Sequence, residues 1–373
     1  MKYSIEIGKI VEGALKRDYA KVVNYTKQLI ERLNEDDETR AAIKFDKLLQ
    51  GQNDTVLMAM GGDKGISVPV DNESRTLLAD IIYPEEDNSN VILSKANLDK
   101  INSFLLSYRN ADRLNALGLD LSNSLLLYGP PGCGKTKCAH LIAKELKLPL
   151  VVSRLDSLIS SYLGTTAKNI RMLFEFAQKT PCVLFLDEFD AIAKARDDNN
   201  ELGELKRVVN SLLQNVDSMN KECILVAATN HENLLDSAVW RRFDYKLEIG
   251  LPDTETIRKM VDLFMGASVV LSDKEKNELA VLFTGLSGAE VEEIIKKSLR
   301  REVIENRNSV KELLYEEFFD YKKIIPQEEM SEKIRMEIIS RYLRQCNEKV
   351  FSMQVIAEIL GSSKSTISKL LKE

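Results

Sequence analysis

Apolar positions change their period several times along the chain, and each change marks a structural boundary. Between residues 9 and 50, Leu15, Tyr19, Val22, Val23, Ile30 and Leu33 recur at helical spacing. A polar turn, Asn34–Glu38, then precedes Ile43, Phe45, Leu48 and Leu49. This predicts a helical hairpin over residues 1–51, which could cap the fold or dock a substrate or adaptor. Residues 52–90 lose that period, and Thr55–Met60 and Ile66–Val70 read as short strands of a connector around GGDKG.

From residue 91 helical spacing returns at Leu98, Ile101, Leu105 and Leu114, and then short apolar runs alternate with helices. The runs are Leu125–Tyr128, Leu150–Val152, Val183–Leu186, Ile224–Ala228 and Leu247–Ile249. Five such runs with intervening helices predict an α/β domain over residues 91–251 with a parallel sheet, whose ligand lies at the carboxyl ends of the strands. Residues 253–323 read as all helix, broken at 266–272, 285–288 and 306–308, which gives a helical module over 252–325.

The last stretch has its own grammar. Ala357 stands four residues before Gly361, and Ile356, Leu360, Ile367 and Leu370 fall where two helices pack across a tight turn. Residues 331–373 therefore read as helix-turn-helix-like, with Lys364–Lys372 as the candidate recognition helix. Ser362 departs from the pattern, which usually has an apolar residue there. Eight Lys and Arg against five Glu make the segment mildly basic. It could read DNA, or dock protein through the surface around Ile367 and Leu371.

Composition narrows the function. The chain has 373 residues, 44% hydrophobic and 29% charged, and no apolar run near the roughly 18 residues that span a bilayer. The N-terminus lacks a continuous apolar leader core, so a cytoplasmic protein without membrane attachment is expected. Two histidines argue against His-based metal or triad chemistry. The five cysteines (Cys133, Cys138, Cys182, Cys223, Cys346) have no paired spacing and are expected to be reduced and not to bind zinc. A net charge of −6 gives no general attraction to nucleic acid, which leaves only a local basic patch for that purpose.

The candidate chemistry centres on LLLYGPPGCGKT, in which Gly129, Gly134, Lys135 and Thr136 satisfy the phosphate-loop spacing between a predicted strand and a predicted helix. The glycines let the backbone curl so that successive N–H groups of the loop and the start of the following helix would face an anion, Lys135 would meet the β/γ-phosphates, and Thr136 would offer its hydroxyl to Mg²⁺. About fifty residues on, VLFLDEFDAI delivers Asp187 and Glu188 to a strand end, Asp187 to contact Mg²⁺ and Glu188 to activate the attacking water. Asn230, after Ile224–Ala228, could bridge the water or the γ-phosphate, or simply cap its loop. Arg241 and Arg242 could form a solvated face or reach the γ-phosphate of a neighbouring subunit. Neither has an obvious partner in its own chain.

Taken together, GPPGCGKT, VLFLDEFDAI, VAATN and LDSAVWRRFD, in this order, resemble the AAA family of the AAA+ ATPases over about residues 91–305. The resemblance implies a P-loop αβα domain with a five-stranded parallel sheet and a helical lid. It also implies a ring, usually hexameric, with ATP and Mg²⁺ at the subunit interfaces. Lys135 and Thr136 become the Walker A pair, Asp187 and Glu188 the Walker B pair, Asn230 sensor 1, and Arg241 and Arg242 trans-acting fingers. Nucleotide contacts extend over Gly129, Pro130, Pro131, Gly132, Cys133, Gly134 and Lys137, with Gly288 and Ala289 of the lid near the adenine. Cys133 replaces the usual Thr, and the glycine common between the two arginines is missing, as in the microtubule-severing and membrane-remodelling branch. No arginine stands at the second-sensor position of the lid. SYLG places Tyr162 and Leu163 on an aromatic-hydrophobic-glycine pore loop that grips extended polypeptide. The function expected is Mg²⁺-dependent ATP hydrolysis coupled to remodelling or threading of a protein partner. The alternatives are a DNA-associated ATPase and a regulator of a separate effector enzyme.

Overall fold

The computed structural model describes residues 3–16, 18–50, 68–71, 75–84, 90–119, 121–154, 163–190, 202–219, 223–235, 237–266, 271–305, 309–325 and 331–372. They divide into two compact units. One holds Met1–Val91, Ala96–Gly129 and Lys135–Ile249, and the other Ile92–Lys95, Pro130–Gly134 and Gly250–Glu373.

The first unit opens with three helices rather than a hairpin: α1 (Ser4–Leu15), α2 (Tyr19–Glu35) and α3 (Thr39–Gln50). Their small core is Leu29, Leu33 and Ala42, with Tyr3, Ile7, Ile10 and Phe45 packed against it. Asp18 caps α2 by accepting from the Lys21 N–H. In the connector, the predicted strand at 55–60 lies outside the described residues. What is described there is a bridge between Val70 and Leu77, followed by β1 (Asp80–Ile82).

Helices α4 (Lys95–Arg109) and α5 (Ala111–Ala116) lead into β2 (Ser124–Tyr128), α6 (Lys135–Leu146), β3 (Leu150–Arg154), α7 (Leu163–Lys179) and β4 (Val183–Asp187). After these come α8 (Leu202–Ser218), β5 (Ile224–Thr229), the four-residue α9 (Ser237–Trp240) and β6 (Tyr245–Glu248). The sheet order is β1-β3-β4-β5-β2-β6. The five expected strands are parallel, and β1 adds a sixth, antiparallel one at the edge beside β3. Continuous burial of β2, β4 and β5 is what a sheet covered on both faces demands. Leu126, Leu184, Leu186, Leu225 and Ala227 share one core with Leu173 and Phe174 of α7 and Leu212 of α8. Helix α6 packs against β3, β4 and β5.

In the second unit, α10 (Thr254–Met265), α11 (Asp273–Leu282), α12 (Gly288–Glu305) and α13 (Val310–Tyr321) form the helical region. Three more helices follow: α14 (Glu332–Cys346), α15 (Met353–Ile359) and α16 (Lys364–Leu370). All seven contribute to one hydrophobic core, from Ile257 and Phe283 through Phe318 to Leu343, Ile356 and Ile367. Ile367 is fully buried in that core, so it offers no surface for docking, contrary to the expectation from sequence. Among the described residues no helix is long and apolar enough to cross a membrane.

Candidate functional site

The site is built where three neighbouring strands end. Strands β4, β5 and β2 lie side by side and parallel, so Asp187 and Glu188, Thr229 and Asn230, and Tyr128 and Gly129 all emerge at one edge of the sheet. Thr229 is directly paired with Tyr128, which puts Asn230 beside the start of the phosphate loop.

Gly129 has to be glycine. Its φ is 132°, and a Cβ there would lie 2.5 Å from the carbonyl oxygen of Ile249. Lys135 is 6% exposed, and its ammonium donates to the Gly129 carbonyl at 2.7 Å, so the lysine that begins α6 holds the first residue of its own loop. Next to it, the exposed hydroxyl of Thr136 donates to Oδ2 of Asp187 at 3.1 Å, while Oδ1 of Asp187 accepts the Glu188 N–H at 2.9 Å. Glu188 is exposed and has a φ of 54°, a left-handed conformation unusual outside glycine and Asn or Asp. The backbone thus turns sharply as it leaves β4.

The donor chemistry fits Mg²⁺. A hydroxyl and a carboxylate, both solvent-accessible and 3.1 Å apart, are the hard oxygen donors this ion takes when it keeps waters and binds phosphate.

Residues 130–134 of the loop and the start of α12 belong together in the second unit. Ala289 N–H donates to the Gly132 carbonyl at 3.0 Å. Gly132, with a φ of 74°, could not carry a Cβ without placing it 2.8 Å from Ser287 Oγ. The N-terminus of α12 is fixed by Glu290. Its carboxylate accepts the Ser287 N–H at 2.6 Å and the Tyr321 hydroxyl at 2.6 Å. Partial burial alone would raise the Glu290 carboxyl, but the bonds from Tyr321 and Ser287 hold it below the usual range. The same bond, with some burial, pushes Tyr321 up to about 12.

The arginines are anchored away from the phosphate loop. Asp244 accepts the Ser124 hydroxyl at 2.9 Å and the Asn123 N–H at 3.1 Å, and Ser124 Oγ also donates to the Arg242 carbonyl at 3.3 Å. Ser124 begins β2 and Tyr128 ends it, about 13 Å further on at roughly 3.3 Å per residue. The expectation that neither arginine has a partner in its own chain is corrected for Arg242. Its guanidinium donates to both oxygens of Asp217 at 2.8 and 2.9 Å and to the Ala238 carbonyl at 2.8 Å. Arg241 is exposed, with no side-chain partner among the described residues.

Two residues escaped sequence reasoning. Asp190, 4% exposed, accepts the Thr229 hydroxyl at 3.2 Å, and that oxygen in turn accepts the His231 N–H at 3.0 Å. Asp190 thus fixes the loop that carries Asn230; its place three residues after Asp187 in VLFLDEFD was the available signal. Asp217 carried none, because it lies 25 residues from Arg242. Of the pore-loop pair, Tyr162 lies outside the described residues and Leu163 begins α7. Cys133 and Cys138 are buried and outside any disulfide, and burial pushes Cys138 up to about 12.

Comparison with known proteins places the chain in a family. The family model described as "ATPase family associated with various cellular activities (AAA)" matches residues 125–251. An uncharacterized AAA family ATPase, y4kL, of Sinorhizobium fredii is 46% identical over 231 residues, covering 62% of this chain and 69% of that protein. A protein of Methanothermobacter thermautotrophicus named as a 26S proteasome regulatory subunit homolog is 35% identical over 192 residues, 50% of this chain and 52% of its own length. The chain thus spans about half of that second relative. With the strand-end constellation of Lys135, Thr136, Asp187, Glu188 and Asn230 in place, the chain belongs to the AAA family of ATPases.

Proposed function

We propose that the protein hydrolyses ATP with Mg²⁺ as a homo-oligomeric ring, six subunits being the number proposed, and uses the cycle to remodel or thread a protein partner in the cytoplasm. The observation that carries the ATPase reading is the Thr136–Asp187 pair beside Lys135 and Glu188. Thr136 and Asp187 would hold Mg²⁺, which supplies charge neutralisation for the transferred phosphate. Lys135 binds the β/γ-phosphates, and its bond to Gly129 O marks a cation already aimed into the loop. Glu188 takes the proton of the attacking water, and Asn230 orients that water or the γ-phosphate.

The ring reading rests on the arginine anchorage. The arginine pair is tied to the start of β2 through the Arg242 backbone carbonyl, at the far end of the strand from its own phosphate loop, so it is better placed to serve a nucleotide held by the next subunit than its own. Threading rests on Tyr162 and Leu163, whose aromatic-hydrophobic-glycine sequence suits a low-specificity grip on polypeptide. The name of the proteasome-subunit relative is compatible with a protein partner.

The test measures mass in solution together with phosphate release. With ATP and Mg²⁺, Glu188→Gln protein should assemble into rings and retain a co-purifying protein partner, and Tyr162→Ala should hydrolyse ATP yet leave that partner unprocessed. A protein that stays monomeric with ATP and keeps full specific activity on dilution would overturn the ring. Normal processing by Tyr162→Ala would overturn threading.

A further inference from the structure

The geometry of the last three helices points to a duplex DNA-binding face, and we propose that α16 and the residue that follows it, Lys372, lie against DNA. The packing is that of a helix-turn-helix. Helix α15 ends at Ile359 with Leu360 as its cap, Gly361 follows with a φ of 57° that turns the chain away, and the Ser362 N–H returns to the Ala357 carbonyl at 2.9 Å. Ser363 then caps α16 by accepting the Thr366 N–H at 3.1 Å. Ala357 is 4% exposed, small enough for close approach of the two helices, and Ile356, Ile367 and Leu370 are buried between them and α14. Ser362, the departure noted in the sequence, is half-buried in the turn and leaves this packing intact.

What the module leaves outside decides its partner. On α16, positions 364, 365, 368 and 369 fall in one arc, and Lys372 follows just past the last turn. That arc carries only lysine and serine, and no apolar side chain of α16 is exposed, since Ile367 and Leu370 are buried. A helix that docks in a protein groove leads with apolar anchors, whereas this one presents hydroxyls and cations.

Charge points the same way. Across residues 359–372 there are three lysines and no acid, within a chain of net charge −6. The acids of the module are largely paired elsewhere: Glu337 with Arg341 at 2.7 Å, Glu348 with Arg344 at 3.1 Å, and Glu358 with Lys274 at 3.4 Å. Among the described residues Glu332 borders the face, in a cleft with Thr366 and Lys369, and Glu373 follows Lys372 in the sequence. Lys364, Lys369 and Lys372 are exposed and make no ion pair among the described residues. Unpaired cations on an otherwise neutral hydroxyl face suit phosphate contacts with polar readout of base edges. An α-helix fits the roughly 12 Å major groove of B-DNA, but not the deep, narrow one of A-form RNA.

The test uses the full chain, because α14–α16 share their core with the lid helices. Binding to a fluorescent 30-base-pair random-sequence DNA duplex is measured by anisotropy over a series of salt concentrations, beside an RNA duplex of the same sequence. The inference expects saturable DNA binding that weakens with salt. The triple variant Lys364→Glu, Lys369→Glu, Lys372→Glu should lose at least tenfold in affinity. Its log–log salt slope should be shallower by up to about 0.9 per lysine that met a phosphate. An unchanged thermal transition and ATPase rate of the variant show that it is folded. Absence of saturable DNA binding at 10 µM protein and low salt, binding undiminished in the folded triple variant, or equal preference for the RNA duplex would each overturn it.

Discussion

Asp217 holds Arg242 through two guanidinium nitrogens, at 2.8 and 2.9 Å, while the adjacent Arg241 stands exposed with its side chain unpaired among the described residues. Two arginines that look equivalent in sequence therefore stand in different surroundings. Arg242 fixes the segment in place, and Arg241 is free to meet a neighbour. Arg241→Ala should cut ATP turnover by about 10³-fold or more, the scale of a lost arginine finger. Asp217→Ala should cost less in rate and, at a half-exposed carboxylate, no more than about 1 kcal/mol of stability. Mixing Arg241→Ala with Glu188→Gln protein should restore part of the activity, because some interfaces then combine an intact acid with an intact finger. Phosphate release that stays flat across every mixing ratio would refute action between chains.

Binding and chemistry should separate at Lys135 and Glu188. The lysine is buried and aimed into the loop through Gly129 O, so Lys135→Ala should abolish both nucleotide binding and turnover. Glu188 lies outside the phosphate-binding loop, and Glu188→Gln should bind ATP nearly as wild type while turnover falls by about 10²-fold or more. Fluorescent-nucleotide titration and single-turnover phosphate release distinguish the two. Turnover by Glu188→Gln near the wild-type rate would remove Glu188 from the role of base.

A third expectation concerns Gly132. A Cβ at that position meets Ser287 Oγ at 2.8 Å and Ala289 Cβ at 3.1 Å, and the φ of 74° is unfavourable to any other residue. Gly132→Ala should lower nucleotide affinity at least tenfold while the far-UV circular dichroism stays unchanged. Ser287→Gly in the same background should recover part of the loss by removing the nearer clash.

Glu290 gives the lid a pH dependence whose sign is fixed by its depressed carboxyl. A group held lower in the folded state than in the unfolded chain contributes its full stability above the ordinary carboxylate range. The contribution fades as pH falls through the folded value. Glu290→Ala should therefore lower Tm at pH 7, and the gap from wild type should shrink between about pH 4.5 and the lower folded value. A gap independent of pH would mean that packing, and not the charge accepting from Ser287 and Tyr321, holds the start of α12.

Much of this was legible because the interior strands have little freedom. Strands β2, β4 and β5 are buried on both faces, so their continuous apolar runs could be read almost to the residue. Strand β6 begins two residues earlier than its apolar run because it is an edge strand: Tyr245 is half-buried, Lys246 and Glu248 are exposed, and only Leu247 faces the core. Helix α1 was obscured by buried charge. Glu6 and Lys9 are each 1% exposed, Glu6 paired with Arg32 at 2.6 Å, so polar letters occupy core positions. Strand β1 is three residues long and carries too little pattern to read. The phosphate-loop and DE motifs were legible because each has its own local spacing, whereas the Arg242–Asp217 and Asp190–Thr229 pairs join segments 25 and 39 residues apart with no motif to link them.

Asp190 should be a positioning residue for Asn230. Its carboxylate is buried and accepts the hydroxyl of Thr229, whose oxygen also accepts the His231 N–H, so the carboxylate, hydroxyl and amide hold the two ends of the Asn230 loop. Asp190→Ala leaves that hydroxyl without its acceptor in a buried place, at a cost of about 1–3 kcal/mol. Asp190→Asn keeps an acceptor oxygen and should recover most of the stability. If the loop's placement is what matters, Asp190→Ala should lower kcat with KM for ATP nearly unchanged, as should Asn230→Ala, and the double variant should be no slower than the slower single one. Asp190→Asn should restore kcat. Additive losses in the double variant would show that Asp190 acts independently of Asn230 and serves the sheet alone.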